Sequence, residues 1–183
     1  MLIRHADPSG DAAACAAIYA PSVREGIASL EVRPPEPSEF ADRIRTISRH
    51  HPWLVAEIER EVVGYAYGSR HHERASYRWS TGVTVYVAGS QHRRGIGRAL
   101  YGALLPLLQQ QGFYVACAGV TLPNDASVGL HESLGFTPVG IYRDIAFKHG
   151  SWRSVGWWQM YLRDCVEGEV PAEPGPPVRL DEL

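Results

Sequence analysis

A basic, glycine-bearing segment, residues 85–98, holds the side chains whose types and spacing are best suited to chemistry. It begins with apolar, β-branched residues and continues through three arginines, at positions 93, 94 and 98, with two glycines among them. It then enters a stretch whose apolar residues recur every four positions, as in a helix. A strand that feeds a loop and then a helix start presents unpaired backbone N–H groups to an anion. The segment therefore predicts a phosphate- or pyrophosphate-binding loop.

Each residue of this segment has a distinct expected role. Gly95 and Gly97 lack a Cβ atom, so phosphates can approach the backbone closely. Guanidinium groups can donate charge-assisted hydrogen bonds to phosphate oxygens. The candidate anion-binding residues are Arg93, Arg94, Gly95, Ile96, Gly97 and Arg98. Basic helix starts also occur without ligands, and a Rossmann dinucleotide site fits less well because the spacing is not GxGxxG.

Composition limits the remaining function classes. The chain has 183 residues, 45% hydrophobic and 21% charged, which suits one domain with a substantial core. A formal net charge of -2 provides no general basic field, which argues against a nucleic-acid partner. No apolar run approaches the roughly 18 residues of a membrane span. Three cysteines without metal-binding spacing favour a reducing, cytoplasmic compartment and no metal site.

The predicted elements alternate between strands and helices. We predict strands at residues 2–3, 53–58, 62–67, 81–87, 115–121, 141–147 and 155–162, and helices at 11–23, 38–50, 95–111 and 124–134. The second helix is expected to be capped by Ser38. The crossover over residues 83–120 predicts two parallel strands. Together these elements indicate an α/β fold with a mixed sheet in a single domain, residues 1–163, followed by a proline-rich, extended or disordered tail, residues 164–183.

The chain resembles the GNAT acetyltransferase superfamily, and most closely its phosphinothricin and methionine sulfoximine N-acetyltransferase branch. The resemblance covers nearly all of residues 1–163. Besides the basic segment, the matching residues are 51–57, Tyr77, Trp79, 122–128, 130–136, 148–150, Trp152 and 155–159. It implies a splayed central sheet, acetyl-CoA as acyl donor, and a small amino-acid-like amine as acceptor. Because related enzymes are commonly homodimers, it also implies a homodimer.

The resemblance implies where the donor would bind. The pantetheine arm would lie between the strand that ends at Val87 and the strand 115–121, bonded to backbone groups of Val85, Tyr86 and Val87. A backbone amide there would polarise the thioester carbonyl and stabilise the oxyanion.

Other cofactor positions carry over with one departure. Asn124, Ser127 and Ser133 match family positions near the cofactor arm, although Asn124 is equally suited to cap its helix. His92 stands where the family usually has Arg or Gln. Since the glycines that follow it are present, we expect the backbone cradle to persist.

The usual general base is missing. The branch places a Glu two residues before the Thr of its catalytic strand, and Gly82 occupies that position here. Three explanations are open. The acceptor is a weakly basic or hydrazine-like nitrogen that needs little help from a base, another residue or a water chain removes the proton, or the protein is inactive but still binds acyl-CoA. An α-amine of pKa about 8 is roughly one-tenth neutral at pH 7, a handicap of about 1.4 kcal/mol that proximity can offset.

Two further sets of residues are candidates for the reaction. His131 matches a Tyr thought to protonate the leaving thiolate, and a histidine suits acid or base work, although a lone histidine is often structural. Arg74, Tyr77, Arg78 and Trp79 precede the catalytic strand where this branch contacts substrate. Arg74 matches an Arg associated with a carboxylate or phosphinate group, although a solvated turn explains the same residues.

These observations favour an N-acetyltransferase acting by direct attack in a ternary complex. A non-catalytic acyl-CoA-binding protein is the alternative that Gly82 suggests, and acetylation of a protein or peptide would require an open groove. The tryptophans near the end of the domain are expected in the core or at a dimer interface; they are Trp152, Trp157 and Trp158.

Overall fold

A seven-stranded mixed sheet organises the computed structural model, which describes residues 1–163 and 175–182. The strands are β1 (Leu2–His5), β2 (Trp53–Ile58), β3 (Glu61–Arg70), β4 (Ser80–Val87), β5 (Val115–Leu122), β6 (Thr137–Lys148) and β7 (Ser151–Tyr161). The helices are α1 (Ala12–Arg24), α2 (Pro37–Ile47), α3 (Ile96–Gln111) and α4 (Asp125–Glu132). The predicted α/β fold with a mixed sheet is confirmed. Cys165 and residues 164–174 of the predicted tail lie outside the described residues.

The sheet splits between β4 and β5. The strand order is β1-β2-β3-β4-β5-β7-β6, and β4–β5 is a parallel pair among antiparallel neighbours. Their ladder contains Ser80↔Val115, Thr81↔Ala116 and Gly82↔Cys117. Since β4 continues to Val87 and β5 to Leu122, the strands separate after Gly82. The predicted parallel crossover and splayed sheet are both confirmed.

The two faces of the sheet carry different cores. On one face, Val83, Val85 and Val87 of β4 pack against apolar side chains of α3. On the other face, Tyr86 packs with α1, where its ring centroid lies 4.9 Å from that of Tyr19. Because side chains alternate along a strand, Gly82 and Thr84 lie on the face shared with Tyr86. The position of the missing carboxylate is therefore on the α1 side, at the apex of the split.

The start of α2 differs from the prediction. The N-cap is Glu36 rather than Ser38, and the helix begins at Pro37. A reciprocal capping box forms in which the Glu36 backbone N–H donates to the Glu39 carboxylate at 2.7 Å. Proline is favoured at the first helical position, where its missing N–H costs nothing. The predicted Ser38 cap was wrong, because Pro37 at the first helical position and the capping box with Glu39 start the helix earlier.

The described C-terminal residues lie against the end of α3. Gln111 is 1% exposed, and its Nε2 donates to the backbone oxygens of His50 and Val178, at 2.9 Å each. The Val178 N–H donates in turn to the Gln111 carbonyl at 2.8 Å. Residues 175–182 are thus tied to the domain, while the domain boundary at 163 stays a prediction.

Within the described ranges, no helix combines the length and the apolar character that a membrane crossing needs.

Candidate active site

The basic segment forms a tight loop between β4 and α3, and we call residues 88–95 the anion loop. A short 3₁₀ turn covers Gly89–Gln91, and the backbone then takes left-handed conformations at Arg93 (φ 60°) and Gly95 (φ 79°). The first helical hydrogen bond runs from the Ala99 N–H to the Gly95 carbonyl at 3.0 Å. The amides that immediately precede Ala99 have no acceptor within the helix, so they can face an anion.

The arginines around this loop are exposed and carry free charge. Arg94 donates to the Gln91 side-chain oxygen at 2.7 Å, and Arg98 donates to the Ser133 carbonyl at 3.3 Å. The ion pairs of the described residues include none of Arg93, Arg94 or Arg98. Their guanidinium charges are therefore not neutralised by a carboxylate of the described residues, and the phosphate-binding role stays a prediction.

The two glycines have different physical roles. Gly95 caps α3 in a left-handed conformation that strains other L-residues, and a Cβ there would meet nothing within 4 Å. At Gly97, a Cβ would lie 3.2 Å from Leu130 Cδ2 of α4. Gly95 thus sets the backbone path of the loop, whereas Gly97 allows α4 to pack closely against α3.

His92 closes the loop on itself. Its Nε2 lies 3.0 Å from the Val87 carbonyl oxygen, and because a carbonyl only accepts, Nε2 donates this bond. One of the backbone groups expected to receive the pantetheine arm is therefore already engaged by His92. His92, which stands where the family usually has Arg or Gln, therefore has a structural role in the loop.

The predicted cofactor residues of α4 satisfy the ends of that helix. Asn124 Oδ1 accepts a hydrogen bond from the Ser127 N–H at 3.1 Å, so Asn124 caps α4. Ser133 Oγ donates to the Leu130 carbonyl at 2.7 Å. Through Arg98 and Ser133, the end of α4 contacts the start of α3. These side chains fix α4 beside the anion loop.

His131 is 4% exposed and has both ring nitrogens engaged. Nδ1 lies 2.7 Å from the Ser127 carbonyl, which requires the proton on Nδ1, so Nε2 accepts from Tyr101 Oη at 3.1 Å. Burial lowers the pKa of His131, partly opposed by the Ser127 carbonyl. His131 is therefore a neutral imidazole, and it can protonate a thiolate only after Nε2 gives up the bond from Tyr101 and takes up a second proton. Tyr101, which sequence reasoning missed, is its partner.

The predicted substrate residues lie in the connection from β3 to β4. Arg78 Nε donates to the Ala75 carbonyl at 3.0 Å, and its guanidinium carbon lies 4.8 Å from the Trp79 ring centroid. Trp79 Nε1 donates to the Gly175 carbonyl at 2.9 Å, so the described C-terminal residues reach this connection.

A cationic cavity of about 470 Å³ adjoins this connection. Its ionisable lining residues are Arg70, Arg74, Arg78, Arg179, His50, His51, His72 and Tyr77. Burial, together with the nearby charges of His50 and Arg70, lowers the pKa of His51 to about 4. The cavity brings Arg74, Tyr77 and Arg78 together and adds Arg70 and Arg179, whereas Trp79 is not among its lining residues. Their role in substrate binding stays a prediction. Such a lining suits a ligand with a carboxylate, phosphinate or similar anionic group.

The three tryptophans occupy different environments. Trp158 lies in the α3 core, and its Nε1 donates to Glu132 Oε1 at 3.2 Å. Trp157 lies on the opposite face, with its ring 3.3–3.4 Å from a Cβ placed on Gly119. Trp152 is 62% exposed beside Phe147. The alternation of side chains along β7 separates Trp157 from Trp158.

Comparisons with known proteins identify the family. Residues 18–136 match the model of the acetyltransferase (GNAT) family, and the chain belongs to that family. It is similar to the phosphinothricin N-acetyltransferase of Streptomyces viridochromogenes, with 39% identity over 168 residues, 92% of this chain and 88% of the relative. It is also similar to the L-methionine sulfoximine/L-methionine sulfone acetyltransferase of Salmonella typhimurium, with 32% identity over 112 residues, 61% of this chain and 66% of the relative.

A solved structure shares the fold. The phosphinothricin acetyltransferase of Sinorhizobium meliloti, crystallised with acetyl-CoA, gives a TM-score of 0.84 at 33% identity, covering 93% of this chain and 95% of that one. The resemblance seen in the sequence is confirmed, and the chain is an N-acetyltransferase.

The left-handed cap at Gly95 gives a testable stability difference. Gly95→Ala should lower the free energy of unfolding by about 1–2 kcal/mol, because an L-residue pays a steric penalty in that conformation. Gly102→Ala is the matched control: its Cβ meets nothing within 4 Å in the interior of α3. There, alanine should stabilise by about 0.5–1 kcal/mol. Denaturant unfolding of both variants measures the difference, and equal effects would contradict the role assigned to Gly95.

Proposed function

We propose that this chain transfers the acetyl group of acetyl-CoA to the amine of a small, amino-acid-like acceptor, by direct attack in a ternary complex. The observation that carries the proposal is the split between β4 and β5, which opens beside the anion loop. Family membership supports acyl transfer, and the Sinorhizobium meliloti relative was crystallised with acetyl-CoA.

The geometry supports separate binding sites for the two parts of the donor, its pyrophosphate and its pantetheine arm. The start of α3 and the arginines of residues 93–98 would hold the pyrophosphate. Beyond Gly82, alternate residues of β4 direct backbone N–H and C=O groups toward the split, where the β5 ladder has ended. Backbone groups of Val85, Tyr86 and Val87 would bind the pantetheine arm there, with Asn124, Ser127 and Ser133 on the α4 side. The bound thioester supplies the electrophilic carbonyl.

The acceptor is proposed to carry an acidic group. The cationic cavity beside the β3–β4 connection contains Arg74, Tyr77 and Arg78, and bidentate arginine contacts suit a carboxylate or a phosphinate. Relatives are named for phosphinothricin and methionine sulfoximine, which fits this chemistry. A weakly basic, hydrazine-like nitrogen is an acceptor that needs little help from a base.

Gly82 supports one alternative, a protein that binds acyl-CoA and turns it over slowly or not at all. Its partners in the sheet, Ser69 and Cys117, provide no carboxylate. A Cβ added at Gly82 would lie 2.9 Å from Ser69 Oγ, so the Ser69 side chain would have to turn away to admit a larger residue.

Release of free thiol from acetyl-CoA distinguishes the two functions. With a panel of amino-acid-like amines and hydrazides, we expect acceptor-dependent thiol release at pH 7 to 8 and an acetylated product by mass spectrometry. Calorimetric binding of acetyl-CoA without turnover on any member of the panel would instead establish the alternative.

His131 is proposed to act on the donor side of the reaction, through its bond with Tyr101. His131→Phe should lower kcat by about tenfold or more, a fraction of what proton transfer commonly contributes, and leave acetyl-CoA affinity nearly unchanged. Steady-state kinetics and calorimetry make the comparison, with Tyr101→Phe testing whether the pair acts together. An unaltered kcat would remove His131 from the mechanism.

We also propose a homodimer through the β6 edge of the sheet. β6 ends the strand order and is exposed over most of its length, with apolar side chains at Val139, Ile141, Tyr142, Ile145 and Phe147. An exposed apolar edge strand of this length is commonly covered by a partner, and a second copy offers the same edge.

Sedimentation analysis tests the dimer. The wild-type protein should sediment as a dimer, and Phe147→Glu should shift it toward a monomer by placing a charge in the apolar patch. Leu2→Glu is the matched control, because Leu2 is 55% exposed on β1, at the opposite edge of the sheet from β6. A monomeric wild-type protein would contradict the proposal.

We also propose that the enzyme is cytoplasmic, which the free thiols of Cys15 and Cys117 support. Cys15 and Cys117 are free in the structure, as expected for a reducing compartment.

A further inference from the structure

The face of the sheet on which Gly82 lies contains a histidine that is not part of the loop or of α4. The β3–β4 ladder pairs Ser69 with Gly82 and Arg70 with Thr81, and His71 follows directly. His71 is therefore level with Ser80, two residue pairs from Gly82 on the side where β4 and β5 are still paired. Its ring centroid lies 5.7 Å from that of Trp157, with the planes at 85°.

Trp157 fixes which face His71 is on. The Trp157 ring covers Gly119, on the side where a Gly119 Cβ would point. Gly119 and Cys117 share a face because they are two residues apart, and Cys117 pairs with Gly82. His71, which contacts the Trp157 ring, is thus on the face of Gly82.

The two rings meet above the apex of the split. β3 and β7 are separated by β4 and β5, which at about 4.8 Å per strand spacing puts their backbones roughly 14 Å apart. Ring centroids only 5.7 Å apart must therefore lie over β4 and β5. Trp157 pairs with Gly119, beyond Cys117 along β5, whereas His71 is level with Ser80. A line from one ring to the other passes the level of Gly82, where the family carboxylate is missing.

The chemistry of His71 differs from that of its neighbours. Neither His71 nitrogen has a hydrogen-bond partner among residues 1–163 and 175–182, in contrast to His131. Burial, and secondarily the charge of His72, lowers the pKa of His71, so the ring is largely neutral at pH 7. Burial raises the pKa of Cys117, which keeps that thiol protonated and unable to act as a base. Among these neighbours, His71 presents a free lone pair at neutral pH.

A second group at the same place has an unused hydrogen-bonding atom. Trp157 Nε1 is buried and donates to no acceptor among the described residues. A buried donor without a partner is costly, and an acceptor atom of a bound ligand would satisfy it. The surface beside the His71–Trp157 pair, where a free ring nitrogen and an unused N–H come together, is therefore suited to the polar end of a small molecule.

We propose that His71 is the proton acceptor for the amine, replacing the carboxylate that is absent at position 82. This proposal rests on the proposed N-acetyltransferase function. As the amine nitrogen forms its bond to the thioester carbonyl carbon, one N–H proton passes to the neutral His71 ring. The C–S bond then breaks and the sulfur leaves as a thiolate, which regains a proton from the imidazolium through solvent. The products are the N-acetyl compound and the free thiol.

The pH dependence has a defined sign. The neutral ring is the active form, so kcat falls as the pH drops through the His71 pKa, which lies below the ordinary 6.5. The groups that face His71 are His72 on the same connection, Tyr77 with its ring 6.3 Å away, and Cys117 on β5, with Tyr142 of β6 behind Trp157. The described residues place no carboxylate in an ion pair or hydrogen bond with His71, so nothing there raises its pKa.

His71→Gln tests the proposal with two acceptors: an amino-acid-like α-amine, which depends on a base, and a weakly basic hydrazide, which needs little help from one. With the α-amine we expect kcat to fall about 100-fold, whereas with the hydrazide the loss should be much smaller. The part of the acidic limb that belongs to His71 should disappear, and acetyl-CoA affinity should stay within about twofold. His5→Gln, an exposed histidine on β1, is the matched control and should behave as wild type. Gly82→Glu, added to the His71→Gln variant, returns a carboxylate to the apex and should raise kcat at least about tenfold above that variant. Ser69→Gly is included to make room, because a Cβ at position 82 would lie 2.9 Å from Ser69 Oγ.

Other outcomes would overturn the proposal. Retention of kcat and of the acidic limb by His71→Gln would remove His71 from the mechanism while leaving the N-acetyltransferase function intact. A wild-type protein without acceptor-dependent thiol release would refute that function, and the role of His71 with it. If His71→Gln fails to fold, NMR titration of wild-type His71 decides: its pKa must match the acidic limb of kcat, and a mismatch rejects the assignment.

Discussion

The early end of the β4–β5 ladder is the constraint on which the rest of the site depends. After the Gly82↔Cys117 pair, two parallel strands that α3 connects move apart while each keeps its other neighbour. The separated edge of β4 retains backbone groups with no strand partner, and unpaired backbone groups favour a ligand that can pair with them. The start of α3 opens at the end of this edge, so the split and the anion loop form one elongated site.

The two faces of the sheet divide the chemistry. The α3 face holds the anion loop together with the buried Tyr101–His131 pair, whose hydrogen bonds are satisfied within the protein. The α1 face holds His71 and Trp157, which keep unused hydrogen-bonding atoms over the apex. A satisfied polar pair stabilises a structure, whereas unsatisfied polar atoms at a cleft indicate where a ligand completes the site. On the proposed acceptor side, a ligand would therefore complete the hydrogen bonding that the protein leaves open.

Local patterns predicted much of this arrangement because their physics is local. Alternating and four-residue periodicity placed the central strands and α3, and the capping preference of Asn124 was confirmed by its bond to Ser127. The Ser38 cap was wrong because a neighbouring proline and capping box defined a better helix start. Of the tryptophans expected in the core or at a dimer interface, Trp158 lies in the core, and Trp157 lies on the other face because side chains alternate along β7.

The sequence by itself determined the fold class, the anion loop, the family and the absence of a carboxylate at position 82, since each depends on residue types at short spacing. Only the tertiary structure showed that Gly82 is at the apex of the split, and that Tyr101 is hydrogen-bonded to His131. It also brought Arg179 to the cavity of Arg74 and Arg78, and His71 to Trp157. These contacts join residues far apart in the chain, and strand register and helix packing decide such distances, which no local pattern encodes.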